Sequence, residues 1–301
     1  MTAGVLEMED QVALRGVYSA TVSLAAQKNN VPLVRSLVLE NQTGVDLTNL
    51  AVTVRVESEV GNSWTREIAL LPAGSLLDIG EVPLRLSEAY LRELSQRTQL
   101  RLMLSVQKGD ELLGQWQQPF DVLPYNEWSG VQSMPEILCA FVTPEHPRIA
   151  SLVEGAQKAS GRTFNGYESR DPNSVRLQME ALYQGLQEEA FQYCPLPAGA
   201  LETGGQVRLC GDLHGGGTAT CLEIALLYTA CLERVGLHPL LVLLEGHVLP
   251  GCWLEDKSFA EWIQDDLTQI TGRMEDGIHQ IEVIEGTCVT SGSKLDFAAA
   301  R

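Results

Sequence analysis

Gly215-Gly-Gly-Thr-Ala-Thr-Cys221-Leu-Glu-Ile-Ala-Leu-Leu-Tyr-Thr-Ala-Cys231-Leu-Glu-Arg-Val-Gly236 is the stretch on which the fold assignment turns. A glycine-rich loop runs into a long apolar helix, and Gly236 is a natural left-handed stop. Thr218 or Thr220 is suited to cap the helix start. Cys221 then falls at the helix N-terminus, where unpaired N–H groups and the positive dipole end favour a thiolate. The same N–H groups can stabilise an oxyanion on a substrate carbonyl. Cys231, ten residues on among apolar neighbours, is expected to be a core thiol.

Downstream, Pro239-Leu-Leu-Val-Leu-Leu is a nearly continuous apolar run, expected to form a buried strand. It leads into Glu245-Gly-His247, which places an imidazole at the end of a central strand, facing the preceding helix terminus. Thiol catalysis needs that pairing, because the imidazole takes the thiol proton and later protonates the leaving group. Gln280-Ile-Glu-Val-Ile-Glu285-Gly-Thr predicts another strand, ending in an acid that would fix the histidine tautomer. Glu285 is the candidate; Glu255 and Asp256 also follow His247 and stay open as alternatives, while Glu282 should point to the other face. Gln206 and Arg208 are candidates for ordering the loop before the nucleophile, and Gln206 also for an oxyanion donor.

Upstream the pattern changes. Leu33-Val-Arg-Ser-Leu-Val-Leu-Glu, Leu50-Ala-Val-Thr-Val-Arg-Val-Glu and Ile68-Ala-Leu-Leu predict strands. Leu100-Arg-Leu-Met-Leu-Ser-Val-Gln and Glu111-Leu-Leu-Gly-Gln-Trp, joined by Lys108-Gly-Asp, predict a hairpin. A short helix is expected at Ser87 to Ser95. Several short strands with turn signals suggest an immunoglobulin-like sandwich over residues 1–125, a binding or spacer module without a catalytic constellation. Pro124-Tyr-Asn-Glu-Trp-Ser-Gly is a turn-rich junction. Beyond it, residues 126–301 turn helical. Ile149, Leu152, Val153 and Ala156 share one helical face, and Asp171-Pro172 opens a second helix with an apolar stripe of Val175, Met179, Leu182, Tyr183 and Leu186.

The order of cysteine at a helix start, histidine on a following strand and acid on the next resembles the transglutaminase-like branch of the papain-type fold. Phe164-Asn-Gly-Tyr167, Gly205-Gln-Val-Arg208, Thr220-Cys-Leu-Glu-Ile-Ala-Leu-Leu, Gly236-Leu-His-Pro-Leu-Leu-Val-Leu, Gly246-His-Val and the Asn126-Glu-Trp-Ser-Gly junction extend the likeness over nearly the whole chain. Together they resemble the N-terminal region of large bacterial multidomain proteins, in which an immunoglobulin-like sandwich and a transglutaminase-like domain precede a superfamily-one helicase and often a nuclease-like tail. The resemblance implies a two-domain α+β protein with Cys221, His247 and Glu285 as its triad. It also implies helicase and nuclease partners or further domains, and a place in bacterial antiviral defence. Two departures touch the loop before the nucleophile. Ala219-Thr-Cys-Leu-Glu stands where the family has Gly-Thr-Cys-Leu-Asp, and Leu209-Cys-Gly follows Arg208 where the family tends to have Leu-Pro.

Composition bounds the alternatives. A net charge of −18 repels phosphate backbones and anionic lipids, which argues against direct nucleic-acid binding. No apolar run reaches the roughly 18 residues of a membrane span, and the acidic N-terminus lacks a signal-peptide pattern. Seven scattered cysteines without a C-x-x-C pair fit reduced cytoplasmic thiols better than disulfides or a zinc site. No metal or cofactor is expected. His146, His238 and His279 are expected to pack or lie at the surface. Leu213-His214-Gly-Gly-Gly imitates an esterase oxyanion loop, yet no G-x-S-x-G elbow accompanies it, and the Lys-Ser/Thr of a phosphate-binding loop is missing. Trp253, Phe259 and Trp262 are candidates for an acyl pocket, with core packing the default. The expected activity is a thiol hydrolase, a cysteine protease or amidase acting on a protein or peptide. A transamidase using the same residues, and a non-catalytic peptide-binding module, remain open.

Overall fold

The computed structural model describes residues 3–8, 11–275, 277–293 and 295–301. The chain is a mixed α+β protein that divides into two compact units, Met1–Ser133 and Met134–Arg301. The division falls after the turn-rich junction, not at 125/126. The junction is tied back to the first unit: the Tyr125 N–H donates to the Leu94 carbonyl, and Arg97 pairs with Glu127.

The first unit holds two sheets. One is antiparallel, in the order β1 (Ala3–Met8), β2 (Val12–Ser19), β4 (Val34–Asn41), β7 (Leu76–Asp78). The other runs β3 (Thr21–Val22), β9 (Glu111–Val122), β8 (Thr98–Lys108), β5 (Leu47–Val56), β6 (Trp64–Leu71). Alternation in sequence decides which face is buried. Along β5, Leu50, Val52, Val54 and Val56 point inward, and Val52 and Val54 stand opposite Val106 and Leu104 of β8. They share one core with Leu14, Leu37 and Leu39 from the first sheet. Each such side chain contributes about 1.5–3 kcal/mol on full burial. The expected helix forms as α2 (Glu88–Glu93), capped by Ser87. Helix α1 (Leu24–Lys28), capped by Ser23, falls in a stretch too short to show helical periodicity.

In the second unit the central element is α5 (Cys221–Arg234). Every residue from Cys221 to Leu232 is buried, as expected of a helix without a polar face. Helices α3 (Pro147–Ser160, capped by His146) and α4 (Pro172–Glu188, capped by Asp171) contribute Ile149, Val153, Met179, Leu182 and Leu186 to its core. The Tyr228 hydroxyl donates to the Met179 carbonyl at 2.7 Å, pinning α5 to α4. A three-stranded antiparallel sheet also packs on α5, in the order β10 (Pro239–Leu244), β11 (His247–Trp253), β12 (Ile281–Val283). Helix α6 (Leu267–Met274) precedes β12, and α7 (Phe297–Ala300) closes the chain.

Two expectations are corrected here. The apolar run Pro239–Leu244 is an edge strand and only partly buried, because no strand among the described residues pairs on its outer side. His247 does not end that strand. It opens the middle one, after a two-residue turn in which Gly246 takes φ 68°. The motif Asn165-Gly-Tyr167 acts as a brace: Gln178 Oε1 accepts from the Asn165 and Gly166 N–H groups, and the Tyr167 hydroxyl donates to the Trp253 carbonyl. No helix among the described residues is long and apolar enough to cross a membrane.

Candidate active site

The approach to Cys221 is held residue by residue. The Gly216 N–H donates to the Glu189 carbonyl at 2.7 Å, and Arg148 pairs with the Glu189 side chain. Gln192 and Tyr193 then pair in parallel with Thr218 and Ala219. Thr220 caps α5 in a reciprocal box: its hydroxyl accepts from the Glu223 N–H, and the Glu223 carboxylate accepts from the Thr220 N–H at 2.9 Å. Arg208 grips the same carboxylate with two parallel bonds of 2.7 Å, from Nε to Oε1 and from an Nη to Oε2. Burial opposes ionisation of Glu223, but the Arg208 and Thr220 bonds outweigh it and hold its pKa below the ordinary value. Arg208 thus clamps Glu223, three residues into the capping box at the head of α5. Gln206 is exposed on the short strand Gly205–Gln206, two residues away.

Cys221 is 1 % exposed. Burial pushes its thiol pKa up; the backbone N–H groups of Val248 and Leu222 pull it down, and the Glu285 charge pushes it up again. The net shift is upward. The helix terminus acts in the expected direction, yet desolvation wins, so the resting group is a thiol and not a stabilised thiolate.

His247 Nε2 lies 2.8 Å from Glu285 Oε2. An ionised carboxylate only accepts, so Nε2 carries the proton and Nδ1 is the ring nitrogen with a free lone pair. Glu285 follows β12 by two residues and is fixed from three sides. Its Oε1 accepts from the Thr287 N–H at 2.9 Å and from the Thr287 hydroxyl at 2.6 Å, and its own N–H donates to the Ala300 carbonyl. Burial disfavours its charge, but the Thr287 bonds, with His247 behind them, prevail and set its pKa below the ordinary 4.5. Two alternatives fall away: Asp256 pairs with His238 at 2.9 Å, and Glu255 pairs with Lys257. Glu282, as expected, faces elsewhere, between Arg176 and Arg301.

The depressed pKa values of Glu223 and Glu285 carry a pH consequence. Their stabilisation is complete above the unfolded carboxylate pKa and is lost as pH falls through the lower folded values. Thermal melts should therefore hold a plateau near neutrality and decline below about pH 4.5. Glu223→Gln should flatten that decline, and an unchanged slope would remove the pair from the acid transition.

Sequence reasoning missed two contributors. Thr287 orients the acid. Tyr193, 46 % exposed, is the second: burial raises its pKa, and the charges of Cys221 and Glu285 raise it further. A two-residue parallel pairing leaves no periodic signal by which Tyr193 could have been found. Trp253 and Phe259 pack edge to face with Arg273 over both rings, whereas Trp262 is 89 % exposed, so these three form no enclosed acyl pocket. Cys231 is a core thiol whose pKa burial pushes up to about 12. Among the described residues no group of three or more His, Cys, Asp or Glu side chains could hold a metal ion.

No family model and no curated protein matches the chain. Among solved structures, a β-glucuronidase from glycoside hydrolase family 2 is similar over 39% of this chain and 10% of its own, at 6% identity and a TM-score of 0.23. A Bacteroides uniformis β-glucuronidase is similar over 42% of this chain and 14% of its own, at 14% identity and a TM-score of 0.24. The chain thus spans a small part of the length of the structures it matches.

Proposed function

We propose that the second unit is a transglutaminase-like thiol enzyme of papain type, a cysteine protease or amidase, behind an immunoglobulin-like first unit. One observation carries the reading: Glu285 holds the His247 ring through Nε2, and the backbone of the next residue, Val248, lowers the pKa of the Cys221 thiol. Imidazole and thiol therefore share one corner of the fold, with the carboxylate behind the imidazole.

In this mechanism His247 Nδ1 takes the Cys221 proton as the sulfur attacks an amide carbonyl carbon. The imidazolium that forms is stabilised by Glu285 and is itself the positive charge beside the sulfur as the proton leaves. The C–S bond forms and the carbonyl π electrons move to oxygen. Collapse breaks the C–N bond, and His247 returns the proton to the leaving amine. Water, deprotonated by His247, then attacks the thioester, and Cys221 leaves. The sequence resemblance further supports a setting in bacterial defence beside helicase and nuclease activities.

Alkylation by iodoacetamide at neutral pH, followed site by site by mass spectrometry, tests the reading. Cys221 should be modified faster than the buried thiols Cys210, Cys231, Cys252 and Cys288, and His247→Ala should remove that preference. Absence of any preference for Cys221 favours a binding module. Glu285→Gln should slow acylation of Cys221 by p-nitrophenyl acetate about tenfold, less than loss of His247 does, because it weakens tautomer control without removing the base. An unchanged rate would take Glu285 out of the assignment.

A further inference from the structure

The three-stranded sheet of the second unit leaves one edge and part of one face uncovered. His238 stands opposite Trp253, one step beyond the Pro239–Cys252 pair, and the Trp253 N–H donates to the His238 carbonyl at 3.0 Å. The Tyr167 hydroxyl completes that pair, accepting from the His238 N–H and donating to the Trp253 carbonyl. Bonded and non-bonded pairs alternate along an antiparallel ladder. Leu240, Val242 and Leu244 therefore direct their N–H and C=O groups to β11, and Leu241 and Leu243 direct theirs outward. Pro239 has no N–H and turns only a carbonyl outward. Among the described residues no strand, turn or side chain bonds to the outward groups of Leu241 or Leu243. Free edges template pairing with other chains, so proteins guard them with charge, a bulge, a proline or a covering segment. On β10 only Pro239 is such a guard. The other five side chains are leucine or valine, and the ladder with β11 is regular over its six pairs.

The face beside this edge is apolar as well. Leu240, Val242 and Leu249 lie with Trp253, Ile281 and Val283 on the side away from Cys252, which belongs to the α5 core. Ile270 of α6 and Phe259 pack there, yet no residue of α6 is buried, and Leu267, on one stripe with Ile270 and Met274, is 60 % exposed. Carboxylates border the strip. Glu245 is exposed at one end of β10, and Asp256, paired with His238, is exposed at the other. Residues 245–275 carry seven acidic and two basic side chains. Both cations are engaged, Lys257 with Glu255 and Arg273 over the rings of Trp253 and Phe259. A second copy would set this negative charge against itself, whereas a cationic segment is drawn to it.

We propose that β10 is a docking edge for an extended, basic segment of a partner protein, which joins the sheet as a fourth strand. Its backbone pairs with Leu241 and Leu243. Its apolar side chains on one face extend the strip of Leu240 and Val242, and lysine or arginine at its ends meets Glu245 and Asp256. The proposal is independent of the chemistry at Cys221, and Cys221→Ala should dock the same segment equally.

Residue-resolved amide hydrogen exchange, read by NMR on the full chain, tests it. The probe is a synthetic peptide of alternating valine and threonine with two lysines at each end. Without peptide, the Leu241 and Leu243 amides should exchange about tenfold or more faster than those of Leu240 and Val242. With peptide in excess they should slow by about tenfold or more, while Leu240 and Val242 change little. Glu245→Lys should weaken binding about two- to fivefold, the range for one exposed charge pair. Raising the salt concentration should weaken it in the unsubstituted chain. The proposal is overturned if Leu241 and Leu243 are already protected in the free chain, or if the peptide leaves their exchange unchanged. It is equally overturned if the same peptide with glutamates in place of its lysines protects them as well. Protection that grows with protein concentration alone, beside a dimer in sedimentation velocity, would give the edge to a second copy and also overturn it.

Discussion

Cys221→Ala is expected to abolish acyl transfer from p-nitrophenyl acetate at this site, and His247→Ala to lower it by about 10²–10⁴-fold, the usual contribution of a positioned general base. The size of the His247 effect follows from the state of the thiol. Burial keeps Cys221 protonated, so unassisted reaction at neutral pH is slow, and the imidazole must both accept the proton and leave a positive charge beside the sulfur. Structural damage should be small. Cys221→Ala removes one sulfur atom from a closed site, and His247 is partly exposed at the start of β11. Initial burst and steady-state nitrophenolate release, read beside thermal melts, check this. Full activity in either variant, with the other six cysteines accounted for by peptide mapping, would end the assignment.

Arg208→Met is expected to be the most destabilising change near the site. Glu223 is 5 % exposed and would lose two short charge-assisted bonds while keeping its charge. Breaking a buried pair by removing one partner costs about 3–5 kcal/mol. Here about 2–3 kcal/mol is the better expectation, because the Arg208 side chain is 41 % exposed and the Thr220 N–H still serves the carboxylate. That loss corresponds to a fall in melting temperature of roughly 4–12 °C. The cause is separable from lost packing. In a Glu223→Gln background there is no stranded charge, so Arg208→Met should cost far less there. An equal cost in both backgrounds would show that the aliphatic stem of Arg208, and not the ion pair, supports the loop. Acylation of Cys221 should weaken along with stability, since Thr220 and Glu223 set where α5 begins.

The local features of the second unit were legible because short-range physics produces them. A threonine cap at 218 or 220, Asp171-Pro172 at the head of α4, Gly236 beyond α5 and the apolar stripe of α4 all depend on residues within about four positions of one another. The alternation of β5 and the β8–β9 hairpin were legible for the same reason. Misread features depended on distant neighbours. An apolar run such as Pro239–Leu244 looks the same whether it lies inside a sheet or at its edge, and only the strand order makes it an edge. In sequence Glu285 was the candidate and Glu255 and Asp256 stayed open beside it, and only the fold pairs those two with Lys257 and His238.

By itself, then, the sequence determined where α5 starts, that a cysteine heads it, and that a histidine and an acid follow in strand context. Tertiary structure alone decided that Glu285 holds His247, across 38 positions of chain. It also decided that desolvation outweighs the helix terminus at Cys221. The physical reason is one of range: capping and periodicity act along the chain, whereas burial and charge act through space and depend on which distant segments the core brings together.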